Sequence, residues 1–279
     1  MFIIGLTKMG KAIPCAFGLL PSKKREAYAR MAEIVRQEVD EVPHPPVITI
    51  MMDFEKAFIG AFSVEFPEAS FTGCDFHYKN CLKKHIASEG VQKLYNDDPN
   101  FIMLVRYMWA LAFVPEDKII PIWETEIKAW VEKHSDDWEP NMVGVQKFLS
   151  YFNKTWIGEK NPRTQLRKRP LFAPSLWSKY QTTLDGLLKT NNLVEGYNHA
   201  FALSMPARAS EWSVIDRLKT EDSTSKALLH QAAIGKEDEA NRTRTKLRKE
   251  KAVLMRNLVS NCTTMTNIAY LNSLITFFE

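Results

Sequence analysis

The chain opens with two apolar runs, Phe2 to Leu6 and Ala12 to Leu19, separated by a turn signal at Met9-Gly10. Lys8 and Lys11 interrupt the apolar stretch, so it reads as a pair of strands rather than a membrane span or a signal peptide. From Ser22 to Val42 the period changes: Ala29, Met31, Ile34 and Val35 recur near helical spacing among helix formers. That predicts one amphipathic helix, stopped by the run Pro43-His44-Pro45-Pro46. Val47 to Met52 is a short, unbroken run of β-branched residues and methionine, the pattern of a strand buried on both faces, and Asp53 stands at its end. A helix from Phe54 to Phe66 stops at Pro67, and a short strand, Ala69 to Gly73, leads into a helix starting near Asp75. Strand and helix in alternation predict an α/β sheet with crossovers.

From about Val91 to Trp156 the pattern is helical throughout, carried by Met103 to Ala112, Ile119 to Val131 and Val145 to Phe152. This is a helical insertion. Gly158 to Pro170 is polar and proline-bounded, carries Arg163, Arg167, Lys168 and Arg169, and reads as an exposed loop. Lys189 to His199 reads as a cap and the first turns of a helix reaching Leu203. Beyond Pro206 the chain is helical, with a basic segment from Arg242 to Arg256 diluted by Glu250 and, just upstream, Glu237, Asp238 and Glu239.

Composition narrows the class without naming a function. With 25% charged and 45% hydrophobic residues in 279, the chain fits a soluble globular protein able to bury a core. A net charge of +4 permits nucleic-acid binding only through local clusters such as the two basic segments. Four scattered cysteines do not make a disulfide framework, which points to a reducing, intracellular compartment, and without a convincing membrane span no membrane partner is expected.

Three groups of residues carry candidate chemistry. Asp53 has two readings, a metal-binding carboxylate at a strand end, where open α/β sheets place ligands, or a cap for the following helix. Glu195, with Asn198 and His199 three and four positions on and Asn191 and Asn192 just before, suits a metal ligand with its supporting shell, or a solvated polar face. Cys74 and His77 have CxxH spacing, and Cys81 and His85 continue the same helix. Two visible ligands fall short of the four of structural zinc, and packing groups are the alternative.

Together these segments resemble the transposase domain of Mutator-like elements (MULE). The resemblance is carried by Ile13-Pro14, Gly18 to Pro21, Lys23 and Tyr28, by Met52-Asp53-Phe54-Glu55-Lys56-Ala57, and by Gly73-Cys74-Asp75-Phe76-His77. Ala110 to Pro115, Tyr151-Phe152, Trp156-Ile157-Gly158, Phe172 to Trp177 and Thr190 to Gly196 continue it in order. It implies a ribonuclease H-like core in which Asp, Asp and Glu hold two Mg²⁺ or Mn²⁺ ions for DNA cleavage and strand transfer. By position Asp53 matches the second acid and Glu195 the third, while Cys74 and His77 match the family's CxxH motif.

The first acid is expected upstream, in a segment like Asp-Gly-Thr-Phe, so the fold expected is an incomplete core lacking its first strand and the chain alone is expected to be inactive. The implied division is a partial core over 1–90, a helical insertion over 91–175, a core helix with the third acid over 176–205 and a helical region over 206–279. DNA is the implied partner, with Asn191, Asn192, Asn198 and His199 as motif residues and Arg163, Arg167, Lys168 and Arg169 as DNA contacts. A homo-oligomer and a nuclear location follow from the same chemistry, and a domesticated binding module without catalysis is the alternative.

Overall fold

A computed structural model of the chain describes residues 2–8, 11–41, 49–206, 208–233 and 242–278. The turn at Met9-Gly10, the breaker run Pro43 to Pro46, the strand residues Val47 and Ile48, and Glu237 to Glu239 lie outside the described residues. In chain order the elements are β1 (Phe2–Lys8), β2 (Lys11–Gly18), α1 (Arg25–Asp40), β3 (Thr49–Met52), α2 (Lys56–Glu65), β4 (Ser70–Gly73) and α3 (Asp75–Ser88). They continue with α4 (Gln92–Asp97), α5 (Pro99–Ala110), α6 (Glu116–Ile122), α7 (Lys128–His134), α8 (Met142–Phe152), α9 (Pro174–Trp177) and α10 (Tyr180–Leu184). The last four are α11 (Asn192–Leu203), α12 (Glu211–Ala233), α13 (Arg242–Ser260) and α14 (Asn267–Ile275).

The described strands lie where the alternating pattern puts them, in an arrangement compatible with an α/β chain. Among the described residues they make two separate two-stranded sheets, β1 with β2 and β3 with β4, in a mostly helical chain. In the antiparallel β1–β2 pair the register shifts between Ile4, opposite Ala16, and Gly5, opposite Pro14. That leaves Cys15 as the extra residue of a β-bulge, beside a proline that has no N–H to give the ladder.

The chain divides into two compact units, Met1–Phe71 with Thr190–Thr243 and Thr72–Lys189 with Arg244–Glu279, the first boundary falling within β4. In the first unit α1 packs on α2, and α11 and α12 pack on the β1–β2 hairpin. Its core is aromatic: Tyr28 meets Phe58 edge-on at 5.6 Å, and Phe58 and Phe62 stack at 4.1 Å. Phe58 and Phe62 are four apart and Tyr28 projects from α1, so helical periodicity alone brings these rings to one face.

The second unit is built around buried indoles. Trp123, Trp138, Trp156 and Trp177 are all buried, and each donates its N–H: to Asn153 Oδ1 at 2.9 Å, Asp98 Oδ1 at 3.1 Å, the Tyr151 hydroxyl at 3.2 Å and the Trp156 carbonyl at 3.3 Å, respectively. Satisfying each N–H is what makes so large a side chain tolerable inside. Asp98 also accepts from the Phe101 N–H at 2.7 Å and so caps α5 while holding Trp138. No helix among the described residues is long and apolar enough to cross a membrane.

Candidate functional site

In the first unit the apolar run of β3 ends at buried Met52, and the next residue, Asp53, is exposed. The capping reading of Asp53 is not realised. The helix after it begins at Lys56 with Glu55 in the cap position, and the Asp53 carbonyl accepts the Glu55 N–H at 2.8 Å in a tight turn. The Asp53 carboxylate instead accepts a hydrogen bond from the Asn191 side-chain amide at 3.0 Å, a partner 138 positions away in sequence.

Asn191 immediately precedes α11 and organises its first turn. Its carbonyl accepts the N–H groups of Val194 at 2.8 Å and of Glu195 at 3.0 Å. Glu195 is half-buried in that first turn, where the unsatisfied N–H groups and dipole of a helix favour negative charge. α11 lies against β1 at Gly5, where a Cβ would stand 3.4 Å from Val194 Cγ2, an ordinary contact distance. Asn192, Asn198 and His199 are exposed.

Two further groups complete this neighbourhood. The buried phenol of Tyr28 is hydrogen-bonded to Glu55, and burial, that bond and the nearby charges of Glu55 and Asp53 push its pKa up to about 12. Lys23 lies 3.9 Å from the Glu55 carboxylate. On the far side of α11, the Tyr197 hydroxyl donates to buried Glu221 at 2.7 Å, and Arg217 pairs with the same carboxylate. Burial and the Glu221 bond raise the Tyr197 phenol. Glu55, Tyr197 and Glu221 were not singled out as site residues from the sequence. The only local signal was the DFE triplet at 53–55, since the α11–α12 pairing joins residues 24 apart.

In the second unit Cys74 is buried at the N-cap of α3 and His77 lies half-buried in its first turn, meeting the Phe76 ring edge-on at 5.7 Å. Buried Asp75 accepts from Lys79 at 2.8 Å, and its N–H donates to the Lys189 carbonyl at 2.9 Å. Lys179, wholly buried, donates to the Thr72 hydroxyl; burial pulls its pKa down to about 8 against the opposing attraction of Asp75 and Cys74. Farther along α3, His85 Nδ1 lies 3.0 Å from the Cys81 carbonyl while its ring stacks on Tyr151, so that ring nitrogen is engaged as a packing and hydrogen-bonding group.

The basic segment is the exposed loop expected, folded back on itself as a short hairpin. Lys160 and Arg167 form an antiparallel bridge, Lys168 N–H donates to the Glu159 carbonyl at 2.9 Å, and Asn161 N–H to the Leu166 carbonyl at 2.8 Å. Arg163, Lys168 and Arg169 are exposed. Arg167 is turned inward: it donates to Glu124 at 2.6 Å and to the Gly158 carbonyl.

Among curated proteins and among solved structures none matches the chain. The family model of the MULE transposase domain matches residues 1–80, which hold Tyr28, Asp53, Cys74 and His77, so over that segment the chain is similar to a MULE transposase domain.

Proposed function

We propose that the chain derives from a DDE-type transposase with a ribonuclease H-like core, and that Asp53 and Glu195 are acidic ligands for the Mg²⁺ or Mn²⁺ used in DNA cleavage and strand transfer. The observation that carries this reading is the hydrogen bond between Asn191 and Asp53. It joins the strand-end acid to the residue whose carbonyl receives the Glu195 backbone N–H, so Asp53 and the first turn of α11, which carries Glu195, are linked within one unit. The donor set suits a hard cation, since carboxylate oxygens are the ligands that Mg²⁺ and Mn²⁺ take. Bound there, the ions would polarise a phosphoryl oxygen and lower the pKa of a water nucleophile. Asn191 orients Asp53, and the first turn of α11 favours a negative charge at Glu195.

On this reading the chain binds metal through Asp53 and Glu195, and binds DNA. DNA is the partner of this reading, with self-association and a nuclear location as its corollaries. Mn²⁺ titration followed by calorimetry tests it: Asp53→Ala should weaken binding at least about tenfold, and Asn191→Ala, which removes only the orienting amide, by about tenfold or less. Equal Mn²⁺ affinity in Asp53→Ala and the unmodified chain would sink the ligand assignment.

A second reading, a non-catalytic DNA-binding module, draws on the same bond, since the Asn191 amide occupies one coordinating direction of Asp53. It requires DNA binding that is indifferent to Mg²⁺ and falls steeply with salt.

A further inference from the structure

Within the second unit a polar cleft of about 540 Å³ lies between the Gly158–Pro170 hairpin and the helical segments around Glu124 and Asn153. Two features show that its walls are built rather than incidental. Glu124 and Asn153 each sit in a π-helical turn, Trp123–Ile127 and Asn153–Ile157. Such turns account for well under about 1% of residues and recur at functional sites. The two turns are tied together by the Trp123 N–H to Asn153 Oδ1 bond at 2.9 Å. The hairpin wall, in turn, depends on Gly158 at φ +94°, where a Cβ would lie 2.1 Å from the Lys168 carbonyl. No other residue fits, and the close approach sets where Lys168 emerges.

The charges of the cleft divide into committed and uncommitted groups. Glu124 receives both Lys128 and Arg167 at 2.6 Å; burial pushes its carboxyl up, but these two bonds outweigh that and hold it below its ordinary value. Glu159 faces Lys154 at 3.7 Å. Lys160 and Lys168, both exposed and both lining the cleft, have no carboxylate within ion-pair distance among the described residues. The hairpin bridge at Lys160↔Arg167 keeps the stretch from 160 to 168 folded back on itself, so the two ammonium groups serve one concavity. Amide-bearing Gln146 and Asn161 add polar lining.

We propose that this cleft seats the phosphodiester backbone of DNA, with Lys160 and Lys168 as the phosphate-neutralising groups and Arg167 as the residue that holds the hairpin rather than a DNA contact. Two mobile ammonium groups over a polar floor offer charge without a base-reading edge, which is the chemistry of sequence-independent backbone contact. The assignment rests on DNA being the partner, but not on Asp53 or Glu195 binding metal.

The test is fluorescence anisotropy of a labelled DNA duplex titrated with the full chain at several salt concentrations. Lys160→Ala/Lys168→Ala is compared with Lys84→Ala/Lys93→Ala, which removes the same charge from exposed helix positions elsewhere in the unit. The cleft variant should bind about tenfold more weakly at low salt and lose about 2 from the slope of log affinity against log salt, while the control stays within about twofold. If both variants bind as the unmodified chain does, or lose affinity equally, the cleft assignment is overturned and DNA remains the partner. If the unmodified chain binds no duplex, the cleft and the DNA partner fall together. A failed Mn²⁺ test at Asp53 leaves the cleft untouched.

Discussion

At Lys179 burial and charge are set against each other. The side chain is wholly buried with a hydroxyl acceptor in Thr72, and burial brings its pKa from 10.5 to about 8 despite the attraction of Asp75 and Cys74. Below pH 8 folded and unfolded chains both carry this proton, and the folded one bears the cost of a buried charge. Between pH 8 and 10.5 the folded lysine is neutral while the unfolded one still binds a proton, so stability rises with pH through that window. The rise is of the order of 3 kcal/mol from this one group. Denaturant unfolding at pH 7 and pH 10 should show it in the unmodified chain relative to Lys179→Met, whose profile lacks it; identical pH profiles would mean that the lysine charge is fully compensated inside.

At the scale of elements, Gly144 in α8 shows how a helix–helix contact can hinge on a missing side chain. A Cβ there would lie 2.6 Å from the Glu89 carbonyl at the end of α3 and 2.7 Å from Val91. Replacing a helical glycine by alanine gains up to about 1 kcal/mol of propensity, but a clash with backbone cannot be relieved by a rotamer change, and overpacking costs about 1–3 kcal/mol. Gly144→Ala is therefore expected to lower the thermal midpoint, and a raised midpoint would show that α8 can shift off α3 at little cost.

This contact was not legible in the sequence, where Gly144 is merely a poor helix former, whereas the helices themselves were. Periodicity located α1, α2, α3 and the helical stretch from α4 to α8 because one-faced burial repeats every three to four residues. It located the strands as well, but not their grouping into two pairs, because pairing partners are chosen by tertiary contacts that leave no local trace. The same limit applies to the site. Asp53 and Glu195 stood out by position and neighbours, yet the Asn191 bond spans 138 residues and the role of Tyr28 depends on α1 packing against the turn after β3. The stretch 158–170 is the exposed loop its polar, proline-bounded sequence reads as, but its fold-back could not be read, because that rests on the Lys160–Arg167 bridge and on Arg167 turning inward to Glu124, 43 positions upstream.

For the whole molecule, the consequence of the two-unit division is that each unit is assembled from two separated stretches of chain. The second unit is closed by its last helix. Tyr270 donates to the Phe113 carbonyl at 2.7 Å, Tyr107 donates to Asn272 at 2.8 Å, and Lys79 sits 4.3 Å from the centre of the Phe278 ring. Tyr270, Leu271, Leu274 and Ile275 are buried, each contributing about 1.5–3 kcal/mol. Together these rival the roughly 5–15 kcal/mol net stability of a typical domain. Residues 72–189 should therefore not hold their core without α14, although more than 80 positions separate α14 from α10. Intrinsic fluorescence reads this unit selectively, since Trp123, Trp138, Trp156 and Trp177 are buried in it while Trp212, in the first unit, is 76% exposed. A chain ending at Met265 is expected to show red-shifted emission and no cooperative thermal transition by fluorescence. Emission and midpoint matching those of the full chain would mean that the indole core closes on residues 72–189 alone, and that α14 is a passenger on its surface.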